Sequence, residues 1–286
     1  MSSEVYTLTE PAERTTPVLF SSPHSGRDYS APFRARSRLA PLILRSSEDA
    51  FVDQLFAAAP NFGAPLITAN VPRAYLDLNR AQDELDPALI EGVAQSAQNP
   101  RVSSGLGVIP RVVAGGRAIY EGRISRLEAE NRLQRYWQPY HTALRGMLDE
   151  THKMFDQAIL IDCHSMPHEA IEAHSRSNQP LPEVVLGDRF GAAAGREVME
   201  QVEAAFERAG LRVARNTPFA GAYITQAYGR PSRRQHVIQV EIDRSLYMDE
   251  QRIELRPDIA EFQALLTGVI AELTGQSLQN QALAAE

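Results

Sequence analysis

Near the middle of this 286-residue chain stands the run Ile159-Leu160-Ile161-Asp162-Cys163-His164. A short run this apolar is typical of a strand that is buried on both faces of a sheet. Its two strongly polar side chains, Asp162 and His164, are two residues apart, so on an extended chain they share one face. The run therefore predicts a buried central strand over Ala158–Cys163, with His164 directly after its carboxyl end.

Similar apolar runs lie on both sides of this one and alternate with longer amphipathic runs. That alternation predicts an α/β fold in three layers, with a mixed, largely parallel central sheet flanked by helices. We expect a long loop over residues 82–122, where periodicity fades. The predicted strands are Pro17–Ser22, Pro65–Val71, Ala158–Cys163, Glu183–Leu186, Leu211–Ala214 and Val237–Asp243. The predicted helices are Asp49–Ala59, Arg126–Phe155, Gly191–Ala209 and Asp258–Thr274.

The composition is that of a globular protein, with 43% hydrophobic and 23% charged residues. A chain of 286 residues can fill one domain, so we expect a single catalytic domain over residues 1–286. The net charge of -7 repels nucleic acid and anionic lipid. Since the sequence has neither a secretory signal pattern nor an apolar stretch of membrane-spanning length, we expect a cytoplasmic protein with no nucleic-acid or membrane partner.

The single cysteine, Cys163, excludes a Cys-rich metal cluster, so a metal would need histidine and carboxylate ligands. His24 lies in a turn made by proline and glycine directly after the predicted strand Pro17–Ser22, and His164 follows the central strand. The carboxyl ends of strands in α/β sheets border one crevice, so we expect both imidazoles there. Hydrolytic zinc sites commonly take two histidines and one carboxylate, which predicts one zinc ion.

The predicted carboxylate ligand is Asp49, with its neighbour Glu48 as the alternative. Both are expected in the first turn of the helix Asp49–Ala59, where acidic charge also stabilises the helix dipole without any metal. Asp162 is interpreted as the group that fixes the tautomer of His164. Its other interpretation is a helix cap.

A carboxylate interrupts the last predicted strand at Glu241. Burying it there is costly unless it is paired, metal-bound or catalytic, so Glu241 is the candidate general base that activates water. The alternative places Glu241 on the solvent face of an edge strand, because Gln239 and Asp243 give that face a polar alternation.

Three polar residues follow the strand Pro65–Val71 and suit an anionic ligand. Asn79 and Arg80 offer an amide beside a guanidinium that can bind a carboxylate through parallel hydrogen bonds, and Arg73 adds charge. They predict a small acidic substrate. On a chain of net charge -7, solvated surface is the alternative for these cations.

Taken together, five segments in order resemble the N-formylglutamate amidohydrolase family. They cover about Phe20 to Met248: Ser22-Pro23-His24-Ser25-Gly26, Asp77-Leu78-Asn79-Arg80, Asp162-Cys163-His164-Ser165-Met166-Pro167, Asn216-Thr217-Pro218-Phe219-Ala220-Gly221, and Gln239-Val240-Glu241-Ile242-Asp243-Arg244-Ser245-Leu246-Tyr247. The resemblance implies a zinc-exopeptidase-like fold and hydrolysis of N-formyl-L-glutamate to formate and L-glutamate, a step of histidine degradation. The resemblance also implies roles for single residues. His24 and His164 are metal ligands, and Glu241 is the general base. Asn79 and Arg80 bind the substrate carboxylate and are called the clamp.

One departure concerns the acidic metal ligand. Relatives with a His-x-x-Glu motif take it three residues after the histidine, where this chain has Arg27, so the carboxylate comes from Glu48 or Asp49. We also predict a catalytic role for His236 and a substrate contact for Tyr223. No oligomeric state is predicted.

Two other functions stay open. One is a zinc amidase or peptidase acting on another N-acyl amino acid or a small peptide. The other is a non-catalytic protein that binds an acidic metabolite. A cysteine hydrolase is disfavoured because Cys163 and His164 are adjacent on a strand and point to opposite faces. No Gly-x-Ser-x-Gly elbow supports a serine hydrolase.

Overall fold

The computed structural model describes residues 4–94, 99–173 and 180–275. Within them the strands are β1 Tyr6–Thr9, β2 Val18–Ser22, β3 Leu66–Ala69, β4 Val112–Val113, β5 Arg117–Ala118, β6 Ala158–Met166, β7 Val184–Gly187, β8 Val213–Arg215, β9 Gln235–Asp243, β10 Met248–Asp249 and β11 Glu254–Leu255. The α-helices are α1 Ala31–Arg36, α2 Pro41–Leu44, α3 Val52–Leu55, α4 Pro100–Ser103, α5 Arg126–Arg132, α6 Gln138–Phe155, α7 His168–Glu172, α8 Arg196–Arg208, α9 Tyr223–Tyr228 and α10 Ile259–Leu273.

In this part of the chain, seven strands form one sheet in the order β1-β3-β2-β6-β9-β7-β8. β6 runs parallel to both β2 and β9, and β8 runs parallel to β7. β7 is antiparallel to β9. The sheet is therefore mixed and mostly parallel, and together with the flanking helices it confirms the predicted α/β class.

The apolar run around residue 160 forms the centre of the sheet. All nine residues of β6 are buried, as expected for a strand covered on both faces. β6 extends beyond the predicted end at Cys163, because its pairing with β9 continues as far as Met166 opposite Asp243. His164 therefore lies inside the strand and not after it.

The other five predicted strands are present with ends shifted by at most two residues. β1 was not predicted, since three of its four residues are exposed and it carries no apolar run. The short pairs β4 with β5 and β10 with β11 are also additional.

The predicted helix Asp49–Ala59 is wrong over most of its length. Phe51 has a left-handed backbone with φ of 67°, so an α-helix cannot pass through it and α3 covers only Val52–Leu55. Glu48 itself lies in extended chain directly after a 3-10 turn, Arg45–Ser47. Neither Glu48 nor Asp49 occupies the first turn of a helix.

The predicted helix Arg126–Phe155 is present as α5, a π-helical turn over Leu133–Trp137, and α6. Ser125 begins it by accepting a hydrogen bond from the Glu128 N–H. The predicted helix Gly191–Ala209 starts later, at Arg196, because Gly195 is extended. No helix among the described residues is both long and apolar enough to cross a bilayer.

The described chain forms two compact units. The first comprises Pro23–Ala50, Thr68–Leu144 and the segment that ends at Thr7. It contains a cluster of aromatic rings, in which Tyr75 makes edge contacts with Phe33 and Tyr136 at centroid distances of 5.0 Å and 5.5 Å.

The second unit comprises Leu8–Ser22, Phe51–Ile67 and the chain from Arg145 onward. It holds the central strands β2, β6 and β9, and its core includes the fully buried rings of Phe20, Phe56 and Phe206. The expectation of one domain over residues 1–286 remains a prediction.

Candidate active site

His24 occupies a tight turn directly after β2. Both nitrogens of its buried ring face carboxylates: Nε2 lies 2.7 Å from Asp77 Oδ1, and Nδ1 lies 3.3 Å from Asp49 Oδ2. The turn needs glycine at Gly26, because a Cβ there would stand 2.1 Å from the Val71 carbonyl oxygen. This close approach of two backbones constrains the turn that carries His24.

Asp77 orients the His24 ring, a role that sequence analysis did not assign. Its carboxylate also accepts hydrogen bonds from the Asn79 N–H at 2.8 Å and from Arg73 Nε at 3.1 Å. Burial opposes its charge, but His24, Arg73 and Arg80 hold the pKa of Asp77 well below its ordinary range. An ionised Asp77 can accept a hydrogen bond from a protonated Nε2 of His24, and the neutral tautomer with that proton has its lone pair on Nδ1.

His164 is held in a similar way from within the sheet. Its Nε2 lies 3.0 Å from Asp162 Oδ2, while Asp162 Oδ1 accepts a 2.6 Å hydrogen bond from Ser21 Oγ. Ser21 and Asp162 are paired in register between β2 and β6. Asp162 therefore contacts the His164 ring from within β6, away from the ends of the helices in the part of the chain that the structure describes.

Three buried side chains bring together atoms of the kind that bind metals. His24, Asp49 and His164 each offer one ligand atom, and these atoms all lie within 4.8 Å of one another. Two imidazoles and one carboxylate are the donors of many hydrolytic zinc sites. Because each imidazole also bonds a further carboxylate, Asp77 or Asp162, the chemistry of this group fits a divalent metal.

Glu48, the alternative ligand, has another partner. Arg45 donates to its carboxylate from Nε at 3.0 Å and from Nη2 at 3.0 Å. The chain is extended at Glu48, so neighbouring side chains point to opposite sides. Of the two carboxylates, the structure brings Asp49 to the histidines.

Glu241 stands beside His164 on the neighbouring strand. The two residues are paired in the parallel register of β6 and β9, so their side chains share one face of the sheet. Glu241 is 7% exposed, and Gln239 Nε2 donates a 2.7 Å hydrogen bond to its Oε1. Since β9 lies between β6 and β7, the edge-strand alternative for Glu241 does not hold.

The predicted clamp residues differ in exposure and in partners. Arg80 is 6% exposed and donates from Nε to the Leu106 carbonyl at 3.0 Å and from Nη1 to the Asn79 carbonyl at 2.8 Å. Burial lowers the pKa of Arg80 from its ordinary value, yet a guanidinium remains charged at neutral pH. Asn79 is buried as well, so neither residue is solvated surface. Arg73 is partly exposed and lies beside Asp77.

The segment that carries these residues is fixed by side chains that sequence analysis missed. Trp137, the single tryptophan of the chain, donates from Nε1 to the Arg80 carbonyl at 2.9 Å. His141 Nε2 lies 2.9 Å from the Leu78 carbonyl. Trp137 ends the π-helical turn, which fits the association of such turns with functional sites.

His236, predicted as catalytic, is not brought together with Glu241. It precedes Glu241 by five residues on β9, about 16 Å along the strand and on the opposite face. Its Nδ1 accepts a 3.0 Å hydrogen bond from the Gly195 N–H, and burial lowers its pKa. Tyr223 is partly buried at the start of α9, next to Ala222.

The surroundings of Cys163 agree with the sequence argument that disfavours a cysteine hydrolase. Its thiol is fully buried and donates to the Ile161 carbonyl at 3.5 Å. Burial, together with the Asp162 carboxylate, raises the pKa of Cys163 well above its ordinary value. The thiol is therefore protonated at neutral pH and is not a nucleophile.

A sequence profile of N-formylglutamate amidohydrolases matches residues 16–248, which is most of the chain. The chain belongs to the N-formylglutamate amidohydrolase family. This confirms the resemblance drawn from the five sequence segments.

Individual relatives agree with the family assignment. N-formylglutamate deformylases of Pseudomonas putida and Pseudomonas aeruginosa are each 29% identical to this chain, over 259 and 265 residues, and each match covers 86% of this chain and 87% of the relative. The crystal structure of N-formylglutamate amidohydrolase from Ralstonia eutropha JMP134 has a TM-score of 0.88 and 35% identity, over 95% of this chain and 97% of that chain. Two of these relatives are named deformylases and the third an amidohydrolase, so the chain is similar to hydrolases of an amide bond.

A structure of much lower sequence identity has a similar fold. The gene product Atu2144 of Agrobacterium tumefaciens has a TM-score of 0.65 at 16% identity, over 99% of this chain and 94% of that chain. This likeness concerns the fold alone.

Proposed function

We propose that this protein hydrolyses the amide bond of N-formyl-L-glutamate to formate and L-glutamate, with one zinc ion held by His24, Asp49 and His164. The observation that carries the proposal is the buried group of two imidazoles and a carboxylate, in a chain similar to proteins named N-formylglutamate deformylase. With this substrate, the activity would serve histidine degradation in the cytoplasm.

The three ligands would hold a zinc ion, whose chemistry is that of a Lewis acid toward a water molecule and the formyl carbonyl. Glu241 takes a proton from the attacking water as the oxygen–carbon bond forms. It then gives that proton to the amide nitrogen as the carbon–nitrogen bond breaks. Formate and the free amino group of glutamate are the products.

The segment around Arg80 binds the negatively charged carboxylate of the substrate. Nε and Nη1 of Arg80 each donate to a backbone carbonyl, and the N–H groups of Nη2 together with the second N–H of Nη1 are the donors we assign to a carboxylate. Asn79 supports the same carboxylate, Arg73 adds positive charge, and Tyr223 contributes a substrate contact. Asp77 and Asp162 keep the two histidine rings in the orientation that the ligands need.

The test combines metal analysis with a hydrolysis screen. We expect about one zinc ion per chain and the highest kcat/KM on N-formyl-L-glutamate among N-formyl, N-acetyl and N-succinyl derivatives of glutamate and glutamine. Preference for small peptides would favour the zinc peptidase alternative. Tight ligand binding without turnover, in a chain lacking stoichiometric metal, would favour the binding protein.

Replacing Asp77 by asparagine is expected to weaken zinc binding by about 10- to 100-fold. The amide carries no charge to retain the His24 ring proton on Nε2, so Nδ1 becomes a poorer ligand. Competition with a chelator measures the affinity, and turnover should recover at saturating zinc. The matched control is Asp86→Asn, a buried carboxylate that pairs with Arg111 at 2.8 Å. Unchanged affinity in Asp77→Asn would contradict the orienting role.

Replacing Arg80 by alanine is expected to raise KM for N-formyl-L-glutamate by about 10- to 100-fold, the effect of one charge-assisted hydrogen bond. KM for the uncharged diamide of the same compound should change by less than about threefold. Steady-state kinetics on both substrates gives the comparison. The control is Arg123→Ala, whose Nη2 likewise donates to backbone carbonyls, those of Pro87 and Ile90. An equal rise of KM for both substrates would show that Arg80 does not bind the substrate carboxylate.

A further inference from the structure

Both the nitrogen and the oxygen of the Gln239 side-chain amide make hydrogen bonds within the protein. Gln239 is 4% exposed and lies two residues before Glu241 on β9. Its Nε2 donates to Glu241 Oε1 at 2.7 Å, and its Oε1 accepts from the Ala222 N–H at 3.0 Å. These partners fix the amide orientation, because a flipped amide would turn an oxygen toward the carboxylate and an NH₂ toward a donor.

The neighbouring strand has the same arrangement. Asp162 lies two residues before His164 on β6 and contacts its ring at 3.0 Å. The register pairs Asp162 with Gln239 and His164 with Glu241. On each strand, a buried polar residue thus orients the chemically active residue two positions later on the same face. Ser21, Asp162 and Gln239 form an orienting row across three strands.

The segment that Gln239 contacts is packed closely against the sheet. Gly221 has φ of +104°, and a Cβ on Gly187 of β7 would stand 2.6 Å from the Gly221 nitrogen. Thr225 Oγ1 donates to the Ala222 carbonyl at 2.7 Å, and the Ala222 N–H donates to Gln239, so both backbone polar groups of Ala222 are hydrogen-bonded. Tyr223, the proposed substrate contact, is the next residue.

We propose that Gln239 is a positioning residue with two separable effects. Its amide nitrogen holds the Glu241 carboxylate in the orientation that proton transfer needs, and its carbonyl oxygen holds the Ala222–Tyr223 segment for substrate binding. The first effect acts on kcat and the second on KM. The inference rests on the role of Glu241 in the proposed function.

The physical basis is the cost of misplacing a general base. A glutamate side chain has several rotatable bonds, and a displacement of about 1 Å at a reacting group can cost about 10²-fold in rate. One short hydrogen bond from a buried amide restricts that motion without changing the charge of the carboxylate. A hydrogen bond to a backbone N–H, by contrast, orders the segment without touching the base.

Two substitutions separate the effects. Gln239→Glu keeps an acceptor for the Ala222 N–H and removes the donor to Glu241. The two adjacent carboxyl groups repel each other when both are ionised, so kcat is measured over a range of pH. At its own pH optimum the variant should show a kcat lower by about 10²-fold and a KM changed by less than about twofold. Gln239→Met removes both hydrogen bonds, so kcat should fall to a similar extent and KM should rise by about 10-fold.

Gln235→Glu is the matched control, because Gln235 lies on the same strand and face and donates to the Tyr228 carbonyl at 2.6 Å. It should leave kcat and KM unchanged. Zinc content and thermal unfolding are measured for every variant, so that loss of metal or of fold is recognised.

Three outcomes would overturn the inference. Wild-type kcat in Gln239→Glu, with near-complete loss in Glu241→Gln, overturns the positioning role and leaves the proposed function intact. An equal rise of KM in Gln239→Glu and Gln239→Met overturns the separation of the two effects. Wild-type kcat in Glu241→Gln overturns the base and, with it, the role of Gln239.

Discussion

Replacing Glu241 by glutamine is expected to reduce kcat by about 10²- to 10⁴-fold, the usual contribution of a general base. The substitution preserves the shape of the side chain and removes the group that accepts a proton from water. Zinc should remain bound, because Glu241 does not belong to the group formed by His24, Asp49 and His164. Steady-state kinetics and metal analysis on the same preparation measure both properties.

Glu203→Gln is the control for that variant. Glu203 pairs with Arg215 at the surface, so its replacement should leave turnover and metal content unchanged. Full activity in Glu241→Gln would show that another residue is the base. Loss of zinc together with turnover would instead place Glu241 among the metal ligands.

Replacing His164 by alanine should abolish both metal binding and turnover. Zinc affinity should fall by more than about 10²-fold, since even residues that only orient a ligand contribute up to that amount. The variant also leaves the buried Asp162 carboxylate without its imidazole partner, so some loss of stability is expected. Isothermal titration with zinc and an assay at saturating metal give the two measurements.

His24→Ala is the second variant in this test, because its ring belongs to the same group and is anchored by a different carboxylate. His152→Ala is the control, since that histidine is only partly buried and its Nε2 contacts the Arg233 carbonyl. Stoichiometric zinc in both His164→Ala and His24→Ala would contradict the proposed metal centre.

The central sheet was predictable because its signal is local. Runs of buried aliphatic residues mark β2, β6, β7 and β9 without any knowledge of their neighbours. β1 lacks that signal, because an exposed strand is held by backbone hydrogen bonds that any side chain permits. The left-handed backbone at Phe51 also has no local signal, which is why the helix Asp49–Ala59 was predicted too long.

For the site, residue type and strand position carried most of the information. The opposed faces of His236 and Glu241 follow from their odd separation on one strand, so the sequence alone places the two side chains apart. A catalytic role for His236 remains a prediction. Asp77 could not be assigned in this way. Its role depends on a contact with His24, 53 residues earlier in the chain, that only the folded structure reveals.

The orienting row also has a consequence for folding. Its hydrogen bond between Ser21 and Asp162 joins residues 141 positions apart, and Gln239 comes from a still later strand. Contacts this distant in sequence raise the contact order, and such topologies fold slowly because the connecting chain must be ordered first. Helices such as α6 can form early from local interactions. Recovery of turnover during refolding should therefore lag behind helix formation and follow the pairing of β2, β6 and β9.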